Sequence, residues 1–147
     1  MTTSNIKKFD EITGQVFAAL YENFPVAKYV LIEDFLDDGF SYDEHAQGDF
    51  PNENGKFFLA CVDWLAGAGY LRFDEKMRFS GFSGAVLTAK GLEALKATPS
   101  SLNKEASLGD QLVEATQSGT KSILGKLSGE VISVGTRIIT THLGLPG

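Results

Sequence analysis

The sequence predicts an α+β fold that is mostly α-helical, and three observations support this prediction. Hydrophobic residues recur every three or four positions over 6–24 and 52–68, which is the spacing of amphipathic helices. Two short alternating segments flank a glycine-bearing stretch, as in a two-stranded hairpin. A further periodic segment, 119–143, follows a proline and two serines. We therefore predict a folded body over 1–99 and a helical tail over 100–147.

The N-terminal part of the body contains clear helix-ending and helix-starting residues. The first helix should stop at Pro25, because proline cannot continue the backbone hydrogen-bond ladder. Residues 26–36 fit either a β-strand or a helix, and both interpretations stay open. Ser41 and Glu44 have the spacing of a capping box, which predicts a short helix over 41–47.

The second half of the body contains the longest predicted helix and the hairpin. Asn52 or Asn54 should cap this helix, because either side chain can accept the hydrogen bond of an unpaired backbone N–H. Phe58 and Trp64 are expected in the core. After the hairpin, Thr88 should cap the last helix of the body.

Two stretches carry a resemblance to a known family. Trp64 to Leu71 resembles the helix–glycine–aromatic–strand signature, and Val86 to Leu92 resembles the leucine–threonine–x–lysine–glycine–leucine signature, that flank the wing of many bacterial winged-helix proteins. The order of predicted elements is also similar to that of this fold. The resemblance is to uncharacterised bacterial winged-helix proteins with a C-terminal amphipathic tail. It implies a winged-helix domain with a two-stranded wing, but the fold serves DNA readers, subunit interfaces and adaptors alike.

The charge distribution disfavours nucleic acid as the main partner. The formal net charge is −6, and residues 1–53 hold three lysines against eleven acidic residues. A DNA-binding protein usually carries a basic face, because phosphate contacts supply much of its affinity. The longest helix should present a flat, mildly acidic surface that suits a protein partner better than a DNA groove. The residues of this predicted partner surface are Lys56, Ala60, Asp63 and Gly67.

The hairpin is the strongest argument for the alternative, a DNA-binding transcriptional regulator. Basic residues beside aromatic ones can grip a phosphate backbone or stack on bases. Such a regulator would use the wing and dimerise through the tail. The candidate nucleic-acid contacts in the wing are Arg72, Lys76, Arg78 and Phe82.

The tail has the most specific pattern in the sequence. As a helix over 119–143, it has an apolar half, a stripe of small residues and only a narrow charged ridge, whereas a helix exposed on one side of a monomer keeps a wider polar face. We predict that the tail mediates self-association. Contact with a membrane is the weaker alternative, since charges within the span argue against a transmembrane helix. The predicted oligomerisation residues are Ser122, Gly125, Gly129, Val131, Ser133, Val134 and Ile138.

Few residues suggest catalysis or ligand binding. The two histidines, His45 and His142, lie in separate segments, and Cys61 falls on a buried helical stripe. The acidic run over 37–53 lacks the alternating oxygen ligands of a calcium loop. We therefore expect no catalytic residue, cofactor or metal. A lone cysteine and the lack of an apolar signal-peptide core indicate the cytoplasm.

The favoured function is accordingly that of a non-enzymatic winged-helix protein. It would act through protein–protein contacts, as an oligomer or as a subunit of a larger assembly.

Overall fold

The computed structural model describes residues 4–98 and 106–142, with side chains through residue 138. The helices are α1 (Asn5–Asn23), α2 (Ile32–Phe35), α3 (Glu53–Gly67), α4 (Ala89–Lys96), α5 (Leu108–Ser118) and α6 (Lys121–His142). The strands are β1 (Lys28–Leu31), β2 (Phe40–Asp43), β3 (Gly48–Pro51), β4 (Leu71–Arg72), β5 (Glu75–Met77) and β6 (Gly81–Leu87). Helices predominate and the sheets are small and antiparallel, so the predicted α+β, mostly α class is confirmed.

The main sheet is organised around β6. This strand pairs antiparallel with β1, β4 and β5, and the strand order is β1-β6-β4. Val30 of β1 lies opposite Phe82 of β6, and both side chains are buried. Both interpretations of residues 26–36 are partly right, because the segment forms strand β1 and then the single helical turn α2.

The short helix predicted over 41–47 is wrong. These residues belong to a hairpin, in which β2 pairs with β3 and Ser41 lies opposite Phe50. The Asp43 carboxylate accepts hydrogen bonds from the backbone N–H groups of His45, at 2.9 Å, and Ala46, at 3.3 Å. Short polar side chains stabilise turns in this way as readily as they cap helices, so the capping-box spacing was misleading.

The predicted cap residues of α3 and α4 are confirmed. The Asn52 side chain accepts a hydrogen bond from the N–H of Gly55 at 3.1 Å. Thr88 accepts one from the N–H of Gly91, also at 3.1 Å. Phe58 is fully buried as expected, but Trp64 is 51% exposed, so its predicted place in the core is wrong.

One hydrophobic core runs from the body into the tail. The same cluster of buried residues contains Phe17 of α1, Leu112 of α5 and Leu124 of α6. Helix α6 packs against α1, with the Ser128 hydroxyl donating to the Asp10 carbonyl at 2.7 Å. The predicted 119–143 helix corresponds to α6, whereas α5 was not predicted as a separate helix.

Candidate functional site

The outer surface of α3 presents a line of exposed residues that we call the α3 stripe. Its members follow one another at intervals of three or four positions and therefore share one side of the helix. They are Glu53, Lys56, Ala60, Trp64 and Gly67, and all five are exposed. Three of the predicted partner-surface residues, Lys56, Ala60 and Gly67, belong to this stripe, and Asp63 is half-exposed at its border.

Trp64 is the large apolar side chain of the stripe, and the sequence interpretation placed it in the core. Its indole ring contacts Phe9 of α1 edge-to-face, with the ring centroids 5.4 Å apart. This contact holds the ring in place while half of its surface stays in water. The helical spacing already put Trp64 within about 40° of Ala60, so the position was readable from the sequence although the exposure was not.

The charges around the α3 stripe are largely balanced. Lys56 lies 3.9 Å from the Glu53 carboxylate, and both side chains are strongly exposed. The Lys76 ammonium donates to Asp63 at 2.5 Å, which links β5 to α3. Lys56 is the one member of the stripe that is an Arg, Lys, Asn or Gln, whereas readout of the major groove requires several such side chains.

The predicted wing residues differ in their exposure and in their contacts. Arg72 and Arg78 are exposed, but the Arg78 guanidinium lies over the Phe79 ring at 5.1 Å, and Lys76 is paired with Asp63. The Phe79 ring in turn contacts Phe50 of β3 edge-to-face at 5.2 Å. The tip between β5 and β6 therefore packs against the β2–β3 hairpin.

Phe82 cannot contact nucleic acid as predicted. Its side chain is fully buried, and its ring contacts Phe73 at 4.7 Å. Strand β6 begins at Gly81, so Phe82 lies inside the sheet and not at the tip of the hairpin. The glycines on both sides of Phe82 suggested a turn, whereas they occupy irregular positions of β6 with positive φ angles.

The predicted oligomerisation residues of the tail divide into two groups. Val131 is fully buried in the chain's own core, and Val134 and Ile138 are half-buried against it, so this apolar side packs on the body. The small residues lie toward solvent: Ser122 and Ser133 are exposed, while Gly125 and Gly129 are half-exposed. Self-association through these four residues stays a prediction.

Helix α1 packs on the apolar side of α6. A Cβ added at Gly14 of α1 would lie 2.9 Å from the Leu124 carbonyl oxygen of α6. The glycine that permits close helix packing therefore lies in α1. On α6, an added Cβ at Gly129 would meet no atom within 4 Å.

The described residues offer little reactive chemistry. Burial raises the pKa of the Cys61 thiol to about 12, so the thiol stays protonated and is a poor nucleophile. Within 4–98 and 106–142, no group of three or more His, Cys, Asp or Glu side chains could hold a metal ion. A groove of about 340 Å³ lies between α1, α2 and the α5–α6 junction and is open to solvent.

No protein-family model, curated protein or solved structure matches the chain. Among the described helices, none combines the length and the apolar character needed to cross a bilayer.

Proposed function

We propose that the chain is a non-enzymatic, cytoplasmic winged-helix protein that acts by binding another protein through the α3 stripe. The observation that carries this proposal is the half-exposed Trp64 in the outward face of α3. Tryptophan is enriched among the residues that dominate binding energy at protein interfaces. A small neighbour on each side, Ala60 and Gly67, leaves the indole accessible to a partner.

The fold supports the winged-helix part of the proposal. The order α1, β1, α2, α3 and then strands β4 to β6 is similar to that of a winged helix, although the short helix is α2 and not residues 41–47, and β6 lies between β1 and β4. The β2–β3 hairpin is an addition before α3. In a helix-turn-helix arrangement, α3 would be the recognition helix, which is the element that faces a partner.

Charge favours protein over DNA as the partner. The α3 stripe carries one acidic and one basic residue, and Asp63 at its border is paired with Lys76. A duplex would gain few phosphate contacts from this surface, and phosphate contacts provide most of the sequence-independent affinity for DNA.

Site-specific photo-cross-linking in the native cells tests the proposal. A photoreactive phenylalanine derivative replaces Ala60, and the same derivative at Ala89, an exposed alanine at the start of α4, is the matched control. We expect a protease-sensitive, nuclease-resistant adduct at position 60 and none at position 89. A nuclease-sensitive adduct at position 60 would support the DNA-binding alternative, and equal labelling at both positions or none would contradict the proposed surface.

A further inference from the structure

The α3 stripe extends along the whole length of α3. It runs over 15 residues, from Glu53 to Gly67, which is about 21 Å along the helix axis. The smallest side chain near its middle is Ala60, and it is flanked one turn away by Lys56 and Trp64. A helix packing across Ala60 could approach closely, because nothing larger than a methyl group stands at the crossing.

The stripe is complementary to itself when two copies are placed antiparallel. With a two-fold axis at Ala60, Lys56 of one copy lies opposite Trp64 of the second copy, and the same pair recurs on the other side of the axis. An ammonium group over an indole face is a favourable cation–π pair, since tryptophan has the most negative ring face among the aromatic side chains. Glu53 lies opposite Gly67 of the second copy, where a small residue leaves room for the carboxylate.

The electrostatics of the surroundings favour the same arrangement. Antiparallel helices place the partly positive end of one dipole beside the partly negative end of the other. Two-fold dimers are the most frequent symmetric assemblies, because one surface patch supplies both halves of the interface.

We propose that two copies of this chain associate through the α3 stripe, with their α3 helices antiparallel about a two-fold axis at Ala60. This inference rests on the proposed function, because it names a second copy as the protein that the stripe binds. Self-association then uses the exposed face of α3. It does not use the apolar side of the tail, which packs on α1, α4 and α5.

Oppositely charged replacements at the axis test the pairing. The two positions 60 face each other, so Ala60→Glu and Ala60→Lys should each prevent dimerisation by like-charge repulsion, and an equimolar mixture of the two variants should restore it. Both substitutions are at an exposed site and introduce good helix formers, so the fold should be retained, which far-UV circular dichroism checks. Ala89→Glu is the control for an added surface charge.

The measurements are mass by light scattering across a concentration series and the fluorescence of Trp64, the single tryptophan. The wild type and Ala89→Glu should double in mass with a midpoint on the order of 10 µM, as befits a small interface. Their emission should move to shorter wavelength over the same range. Each single variant at position 60 should need at least about tenfold more protein, and the mixture should behave like the wild type.

Three results would overturn the inference. They are a wild type that stays monomeric throughout the series, dimers that persist in both single variants, and separate variants that dissociate but are not restored by mixing. Cross-linking at position 60 distinguishes a wrong dimer inference from a wrong proposed function. A monomer cross-linked to a different protein would refute only the dimer, whereas a nucleic-acid adduct would refute both proposals.

Discussion

Replacing Gly14 with alanine tests the packing of α6 on α1. A Cβ at this position would lie 2.9 Å from the Leu124 carbonyl oxygen and 3.2 Å from the Leu124 Cβ. A third neighbour, the Leu112 Cδ2, would be 3.3 Å away. Because the nearest of these atoms belongs to the backbone of α6, the added methyl group can be accommodated only by moving one helix away from the other.

The magnitude follows from two opposing effects. Alanine is favoured over glycine inside a helix by about 1 kcal/mol, and overpacking of a tight core costs about 1–3 kcal/mol. Gly129→Ala is the matched control, because it makes the same replacement inside α6 where the added Cβ meets no atom within 4 Å. The control should gain up to about 1 kcal/mol of unfolding free energy, and Gly14→Ala should lie about 1–3 kcal/mol below it.

Urea denaturation followed by far-UV circular dichroism measures both variants against the wild type. The difference between the two variants isolates the overpacking, since the gain in helix propensity is common to both. Equal stabilisation by the two replacements would refute the reasoning, because it would mean that Gly14 has free space and that α6 does not pack there.

Three further predictions follow from the described contacts. Phe58→Ala should lower the unfolding free energy by about 3–5 kcal/mol, and an unchanged urea midpoint would contradict the burial of this ring. Truncation after residue 101 removes α5 and α6 and exposes the side of α1 that they cover. Sedimentation should therefore show aggregation, and circular dichroism should show a loss of helix. A soluble, fully folded fragment would contradict the shared core. Lys90→Met should lower stability by about 1 kcal/mol, because the ammonium donates to the Ala68 carbonyl at the end of α3 at 2.6 Å and lies 4.2 Å from the Tyr70 ring centroid. The same change at the exposed Lys96 should have a smaller effect on the melting temperature, and equal effects would argue against this capping role.

The sequence predicted those elements whose signals are local. Asn52 and Thr88 were recognised as caps because a cap needs only one side chain and the N–H group three positions later. Residues 41–47 were assigned to the wrong element because Asp43 uses the same local hydrogen bonding to hold a turn. The local hydrogen bonds of Asp43 are compatible with both a helix cap and a turn. The pairing of β2 with β3 determines that the segment forms a turn.

The sequence was less informative where the answer depends on a distant segment. The apolar side of α6 was recognised, but its periodicity does not say whether α1 or a second copy covers Val131. Trp64 was assigned to the core on its hydrophobic character, whereas in the fold Phe9 of α1 contacts the indole ring edge-to-face and half of the side chain stays exposed. Of the candidate site, the sequence supplied the small and charged members of the α3 stripe and missed the aromatic one.

The pairing of α1 with α6 has a consequence for how the protein is made. The hydrogen bond from Ser128 to Asp10 joins residues 118 positions apart, so α1 is synthesised long before α6, which packs on it. Contacts of such long sequence separation slow folding, because the chain loses much of its freedom before they form. The side of α1 that α6 covers therefore stays open until α6 has been synthesised, and a nascent chain stalled before residue 121 would present that side to chaperones and proteases.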